Sequence, residues 1–422
     1  MATDLFETPL DSLNLSDVQD LVDRQVEEGP RLEFKRGFAT HDGRPDRWML
    51  NQTSIGNIAR DDIAKEVVAF ANAYGGVIVI GVDETEDNPK RARSIFEPQI
   101  PQVSNCVERL AQALRSVIDP PIAMLELRAL ESEDGNGVVV VRVGASSSAP
   151  HGVGRPPNAY VRRGNNSEPL TMRDMQSMFY ERRSRLERIS QIGIDQSVRA
   201  KEVANNWRTG SLLQPDARQV MENSGGLAFH LSLISSEDFG IDNLPDVIKA
   251  KPRRVPVLDL NSLVDLPAWT NQWKRGYRSI SHSGGYSNNL SNVEIRADGL
   301  ITISLVRADS RFHPAWYSAI IAQGLVLAEW LRRSQARPDI EFILLGSFEK
   351  IGNPAVPSYN GLFETFVSIP WQSASIGPYS VTTSGEFLSI HDVVERELWD
   401  LFGSDRKSPL SINWNEALSL TP

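Results

Sequence analysis

Glu28, Glu33 and Lys35 fall within the eight residues EGPRLEFK, and the acidic pair Asp83-Glu84 follows an apolar run further along the chain. Carboxylates grouped with a lysine suit work on phosphodiesters, where acids hold a divalent cation and an ammonium meets a phosphate or its developing charge. Distance sets a condition on that grouping. Fully extended, the chain would hold Glu28 and Glu33 ~16 Å apart, too far to share an ion whose oxygen ligands lie at ~2.1 Å. Gly29-Pro30 supplies the necessary bend, because Gly accepts unusual backbone angles and Pro pre-sets a turn. The competing reading is structural: Glu33 and Lys35 as an ordinary surface pair, and Asp83-Glu84 as the solvated end of a strand.

Two elements must position these groups. Residues 31–36 alternate as a strand, with Leu32 and Phe34 on one side and Arg31, Glu33 and Lys35 on the other. Ile63, Val67, Phe70, Ala71 and Tyr74 recur at helical spacing behind Asp61-Asp62 as the expected cap, and Gly75-Gly76 ends that helix. The run Val77-Ile78-Val79-Ile80 then suits a strand buried on both faces. A helix is expected over 12–27 with Ser16 as cap, a loop or lid over 37–60, and a second core helix over Ser104–Ile118. Ala123–Leu130 and Val138–Val143 read as a hairpin, followed by a strand at Ala159–Arg162 and an Arg-rich helix from Thr171 to about Ile189.

The stretches EEGPRLEFKR, AFANAYGG with IGVDE, and YVRRGNNSEPLT occur in this order and together resemble the AlbA-like domain of the Schlafen family over roughly residues 20–185. The resemblance implies an α/β AlbA-like N-terminal domain. It also implies a divalent-metal-dependent endoribonuclease or nuclease effector, in bacterial stress or anti-phage defence. Glu28, Glu33 and Asp83 would hold Mg2+ or Mn2+, with Lys35 beside them at the scissile phosphate. Asp83 and Glu84 point to opposite sides of an extended chain, and Asp83 is taken as the third acid. Lys35, Arg36, Arg155, Arg162 and Arg163 are the expected nucleic-acid contacts, with RNA the favoured partner. Two alternatives stand beside cleavage: a non-catalytic regulator that binds nucleic acid or nucleotide, and an interaction subunit in a homo-oligomer or defence complex.

Composition bounds the rest. A 422-residue chain suggests two domains, here 1–190, a passage at 191–210, and a mixed α/β domain of unknown role at 211–422. The lone Cys106 excludes an internal disulfide, the acidic start MATDLFETPLDSLNLSD argues against a signal peptide, and no apolar stretch is membrane-length, so a cytoplasmic protein is expected. Net charge −10 argues against general nucleic-acid stickiness, yet from Arg155 to Arg188 eight arginines face four acids, a local basic patch. No phosphate-loop motif is present, and the six histidines lack ligand spacing. In the second half, Leu227–Ile234, Val255–Leu260, Glu294–Arg296, Ile301–Val306 and Glu341–Leu345 read as strands, His313–Ser334 as a long helix, and Ser281–Gly285 as a mobile loop.

Overall fold

The computed structural model describes residues 5–6, 8–40, 42–87, 89–209, 225–241, 244, 273–286, 289–360, 363–403 and 411–419. The expected strand Val255–Leu260 lies outside them. The chain divides into two compact units, residues 1–185 with 337–340, and 186–336 with 341–422.

In the first unit α1 (Leu15–Asp23) precedes β1 (Leu32–Lys35), and α2 (Asn57–Ala71) leads into β2 (Gly76–Ile80) and the short β3 (Val82–Glu84). There follow β4 (Ala92–Ile95), α3 (Val103–Val117), β5 (Ile118–Asp119), β6 (Leu125–Glu131), β7 (Gly137–Val143), β8 (Gly152–Val153), β9 (Asn158–Arg163), β10 (Asn166–Pro169) and α4 (Met172–Ser197). The main sheet runs β1-β2-β7-β6. β1 and β2 pair in parallel, Leu32 against Val77 and Lys35 against Ile80, which obliges the connection carrying α2 to cross over the sheet. Alternation in β2 and β7 feeds two cores. Ile78, Ile80, Val139 and Val141 meet Ile63, Val67 and Phe70 of α2 and Leu110 and Leu114 of α3. Val77, Val79, Val138 and Val140 meet Val18 and Leu21 of α1 together with Phe34. This is the buried, all-apolar strand that the sequence pattern required.

Several expected boundaries move. α2 begins at Asn57 behind Gly56, so Asp61 and Asp62 lie within the helix instead of capping it. The loop before it is fastened to the helix start by the buried Asp46, which accepts from the Gly56 and Trp48 amides. α1 is capped by Asn14, whose side chain and Asp17 form a reciprocal capping box, not by Ser16. At Gly76 an added Cβ would lie 2.5 Å from the Phe70 ring and 2.9 Å from the Arg31 carbonyl oxygen. Glycine there lets the strand start against the helix it has just left.

In the second unit α5 (Arg199–Thr209) precedes β11 (Gly226–Ser235). β12 (Lys274–Gly276), β13 (Ser279–Tyr286), β14 (Asn289–Arg296) and β15 (Ile301–Arg307) lead to α6 (Ala315–Ser334) and β16 (Phe342–Ile351). The hairpin β17 (Ala355–Asn360) and β18 (Phe363–Ser368) comes next, then β19 (Ser373–Val381), α7 (Phe387–Leu401) and α8 (Trp414–Ser419). Seven strands form an antiparallel sheet in the order β12-β13-β14-β15-β11-β16-β19. One face of β11 receives α6, where Gly324 comes close to Leu231 and Leu233. On the other face His230 bonds Ser304 and Gln196, and Ala204 of α5 meets Ala228. Ser281–Gly285, expected as a mobile loop, is part of β13 and pairs along its length with β14, because backbone pairing asks nothing of small side chains. Residues 191–209, expected as a passage between domains, are helical except at the short break between α4 and α5.

Candidate nucleic-acid interface

The turn after Glu28 folds the chain back on itself. Gly29 and Leu32 exchange backbone hydrogen bonds, and Glu28 Oε1 accepts from the Phe34 amide at 2.8 Å. Gly29-Pro30 thus does bend the chain between the two glutamates. Strand alternation turns Glu33 and Lys35 toward α2, where Asp62 and Glu66 stand one helical turn apart. Lys35 Nζ lies 2.9 Å from Glu33 Oε1, 3.7 Å from Glu66 Oε1 and 3.9 Å from Asp62 Oδ2. Its ammonium is held above the ordinary lysine range: burial works against the charge, but Glu33, Glu66 and Asp62 together outweigh it.

Arg162, read from the sequence as a phosphate contact, is sealed inside this cluster. Its side chain is 1% exposed. One guanidinium nitrogen donates to Glu33 Oε2 at 2.6 Å and the other to Glu66 Oε2 at 3.2 Å, with Ser167 Oγ donating to the same Glu66 oxygen. Further bonds reach the carbonyls of Gly29 at 3.2 Å and Leu32 at 3.4 Å, and the group lies 5.0 Å from the centre of the Phe70 ring. A guanidinium spent on two carboxylates and two carbonyls offers nothing to a nucleic acid. Arg163, its neighbour on β9, points to the opposite side of the strand and is half exposed, paired with Glu168 and Asp174. Arg155 is exposed and has no ion pair among the described residues.

The acids do not assemble as the resemblance implied. Asp83, on the small β3–β4 hairpin, gives one oxygen to Arg36 Nη2 at 2.7 Å and the other to Arg93. Burial opposes its ionisation, but the two guanidiniums hold its carboxyl below the usual range. Of this adjacent pair it is Glu84, not Asp83, that acts on Glu28, after Glu33. Burial first, then Glu33, then Glu84 push the Glu28 carboxyl up to about 7, against the Phe34 amide and Lys90. Lys90 pairs with Glu84; burial works against its charge, but Glu84, Glu28 and Glu33 outweigh it and raise its pKa.

A shared Mg2+ or Mn2+ therefore does not fit Glu28, Glu33 and Asp83 in this arrangement. Both oxygens of Glu33 and both of Asp83 already meet cationic side chains, and among the described residues no three His, Cys, Asp or Glu side chains converge as a metal site. Glu84 differs, because its buried Oε2 has no hydrogen-bond partner among the described residues. Sequence reasoning missed Glu66, Lys90 and Arg93. Glu66 left a signal, since it sits in the apolar stripe of α2 between Ile63 and Phe70, a place where a charge needs a buried partner. Lys90 and Arg93 left none, because they reach the site only through the β3–β4 pairing.

Residues 28–171 match the family model described as Schlafen, AlbA_2. No curated protein matches the chain.

Two measurements check this electrostatic picture. Arg162→Met should destabilise the protein by about 3–5 kcal/mol, because it removes the buried guanidinium shared by Glu33 and Glu66 and leaves Lys35 as their remaining cation. Arg162→Lys should recover only part of the loss in urea titrations, since a point charge cannot fork between them. Glu28 is a carboxyl whose folded pKa lies above its usual 4.5, so its protonated form favours the fold. That contribution is complete below about 4.5 and is lost as pH rises through about 7. Glu28→Gln keeps an oxygen for the Phe34 amide and should flatten this part of the melting temperature against pH curve. An unchanged curve would show that Glu28 titrates normally.

Proposed function

Because residues 28–171 form a Schlafen AlbA-type domain with an α/β fold, we propose that this unit binds the sugar-phosphate backbone of nucleic acid, RNA in particular. One observation carries the reading: around the buried Arg162, the pairs of Asp83 with Arg36 and Arg93, of Glu84 with Lys90 and of Glu33 with Lys35 all set the acid inward and the cation outward. Arg36 and Arg93 are 61% and 55% exposed over an Asp83 that is 7% exposed. Lys90 covers Glu84, 47% against 29%, and Lys35 covers Glu33, 24% against 8%. A surface of outward cations backed by buried carboxylates presents positive charge to a polyanion while the pairs hold each side chain in place. Backbone contacts of this kind position a strand without reading its sequence.

Fluorescence anisotropy with a labelled RNA tests this. Arg36→Gln with Arg93→Gln should weaken binding about tenfold and lower the slope of log K against log salt by about 1.4–1.8, the value for two lost phosphate contacts. A double variant with the parent's affinity and slope would remove this surface as the binding face.

A second reading, metal-assisted RNA cleavage, is favoured by the unpartnered Glu84 Oε2 beside Glu28. These two acids, with phosphate and water completing the shell, match the way Mg2+ is commonly held by one or two carboxylates. The ion would supply Lewis-acid charge at the phosphoryl oxygen. Glu28 and Glu84 would hold it, and Lys90 and Lys35 would steady the phosphate. Purified protein should then degrade total RNA with Mn2+ and stop with chelator, and Glu84→Gln should abolish degradation while RNA binding persists. Degradation indifferent to chelator and to Glu84→Gln would leave backbone binding as the function.

A further inference from the structure

The second unit carries a basic feature outside the N-terminal cluster. β12 and β13 form a tight hairpin in which Lys274 faces Ser281, Arg275 faces Ile280 and Gly276 faces Ser279, leaving Tyr277-Arg278 as a two-residue loop at the edge of the seven-stranded sheet. Tyr277 is 94% exposed. Lys274, Arg275 and Arg278 are exposed beside it, with no ion pair among the described residues. The stretch WKRGYRSISHS, 273–283, contains no acid. Of the acids on the adjoining strand and turn, Glu294 lies a further strand away from Lys274, across Ser281, and Asp298 is taken by Arg296.

The backbone adds a second observation. Arg278 sits in the left-handed region at φ 49°, where glycine or asparagine would be free of strain. The turn is held there by the Ala297 amide, which donates to the Arg278 carbonyl at 2.8 Å. The residue at this left-handed position therefore carries a long cation at the tip of the turn, beside Tyr277.

We propose that this hairpin is a second nucleic-acid contact, one that takes single-stranded RNA or DNA by stacking an unpaired base on Tyr277 and seating the flanking phosphates on Lys274, Arg275 and Arg278. The proposal rests on the nucleic-acid reading of the first unit and extends it to the other. Unpaired strands fit the tip because an exposed ring stacks only on a base face, which a duplex hides.

The test uses the full chain and a labelled oligo-U. Tyr277→Ala should weaken binding roughly 5- to 100-fold, and Tyr277→Phe, which keeps the ring, should restore it. Arg278→Gly should keep or raise the melting temperature by relieving the left-handed residue, yet lower affinity several-fold. Neutralising Lys274, Arg275 and Arg278 together should reduce the single-strand salt slope by about 2. Ultraviolet crosslinking should attach the oligonucleotide to the peptide bearing Tyr277. Crosslinks confined to residues 28–171, with hairpin variants binding like the parent, would overturn the hairpin contact and leave the first unit's reading standing. No binding by the parent chain would sink both. Binding to anionic phospholipid vesicles that needs Tyr277, with none to oligo-U, would overturn the proposal in favour of a membrane-surface contact.

Discussion

The candidate site depends on one guanidinium. Arg162 is buried, and an unpaired buried cation would cost several kcal/mol; it is stable only because Glu33 from β1 and Glu66 from α2 neutralise it. The same group ties down the carbonyls of Gly29 and Leu32, so the turn that returns Glu28 toward Glu33 is fastened to β9 from above. Arg162 therefore joins three pieces of chain that are remote in sequence. Because Arg presents a planar fork of donors, one side chain satisfies acids on two elements at once.

That constraint shapes what remains chemically available. Once Arg162 and Lys35 take the oxygens of Glu33, and Arg36 and Arg93 take those of Asp83, the acid cluster is largely self-neutralised and its free capacity lies at Glu28, Glu84 and Lys90. The outward side of the Arg36, Arg93, Lys90 and Lys35 pairs with Asp83, Glu84 and Glu33 is cationic. This arrangement reconciles an acidic chain with a polyanionic partner, since affinity follows local phosphate contacts more than net charge.

The second unit manages its buried polar groups in the same way. Ser318, His391 and Glu395 meet between α6 and α7 with all three buried. Ser318 Oγ donates to Glu395 Oε1 at 2.9 Å, so the serine bonds the acid directly and the group fastens two helices where no substrate reaches. Lys274, Arg275 and Arg278, by contrast, stand exposed on the surface of this unit at the β12–β13 edge.

Local pattern alone determined a good deal. The apolar run 77–80 suited a strand covered on both faces, Gly29-Pro30 supplied a bend, and the alternation of residues 31–36 assigned Glu33 and Lys35 to one side, because each depends on the geometry of a few neighbouring residues. The long apolar helix at Ala315–Ser334 and the hairpin of β6 and β7 were legible for the same reason. Only the tertiary structure decided which charges meet. Arg162 and Arg163 are adjacent and identical in sequence, yet alternation on β9 sends one into the core against Glu33 and Glu66 and leaves the other half in solvent with Glu168 and Asp174. Asp83 and Glu84 divide likewise, one to Arg36 and Arg93 and the other toward Glu28 and Lys90. Pairing energies between charges depend on distance and burial across separate elements, and neither is encoded within a short window of the chain.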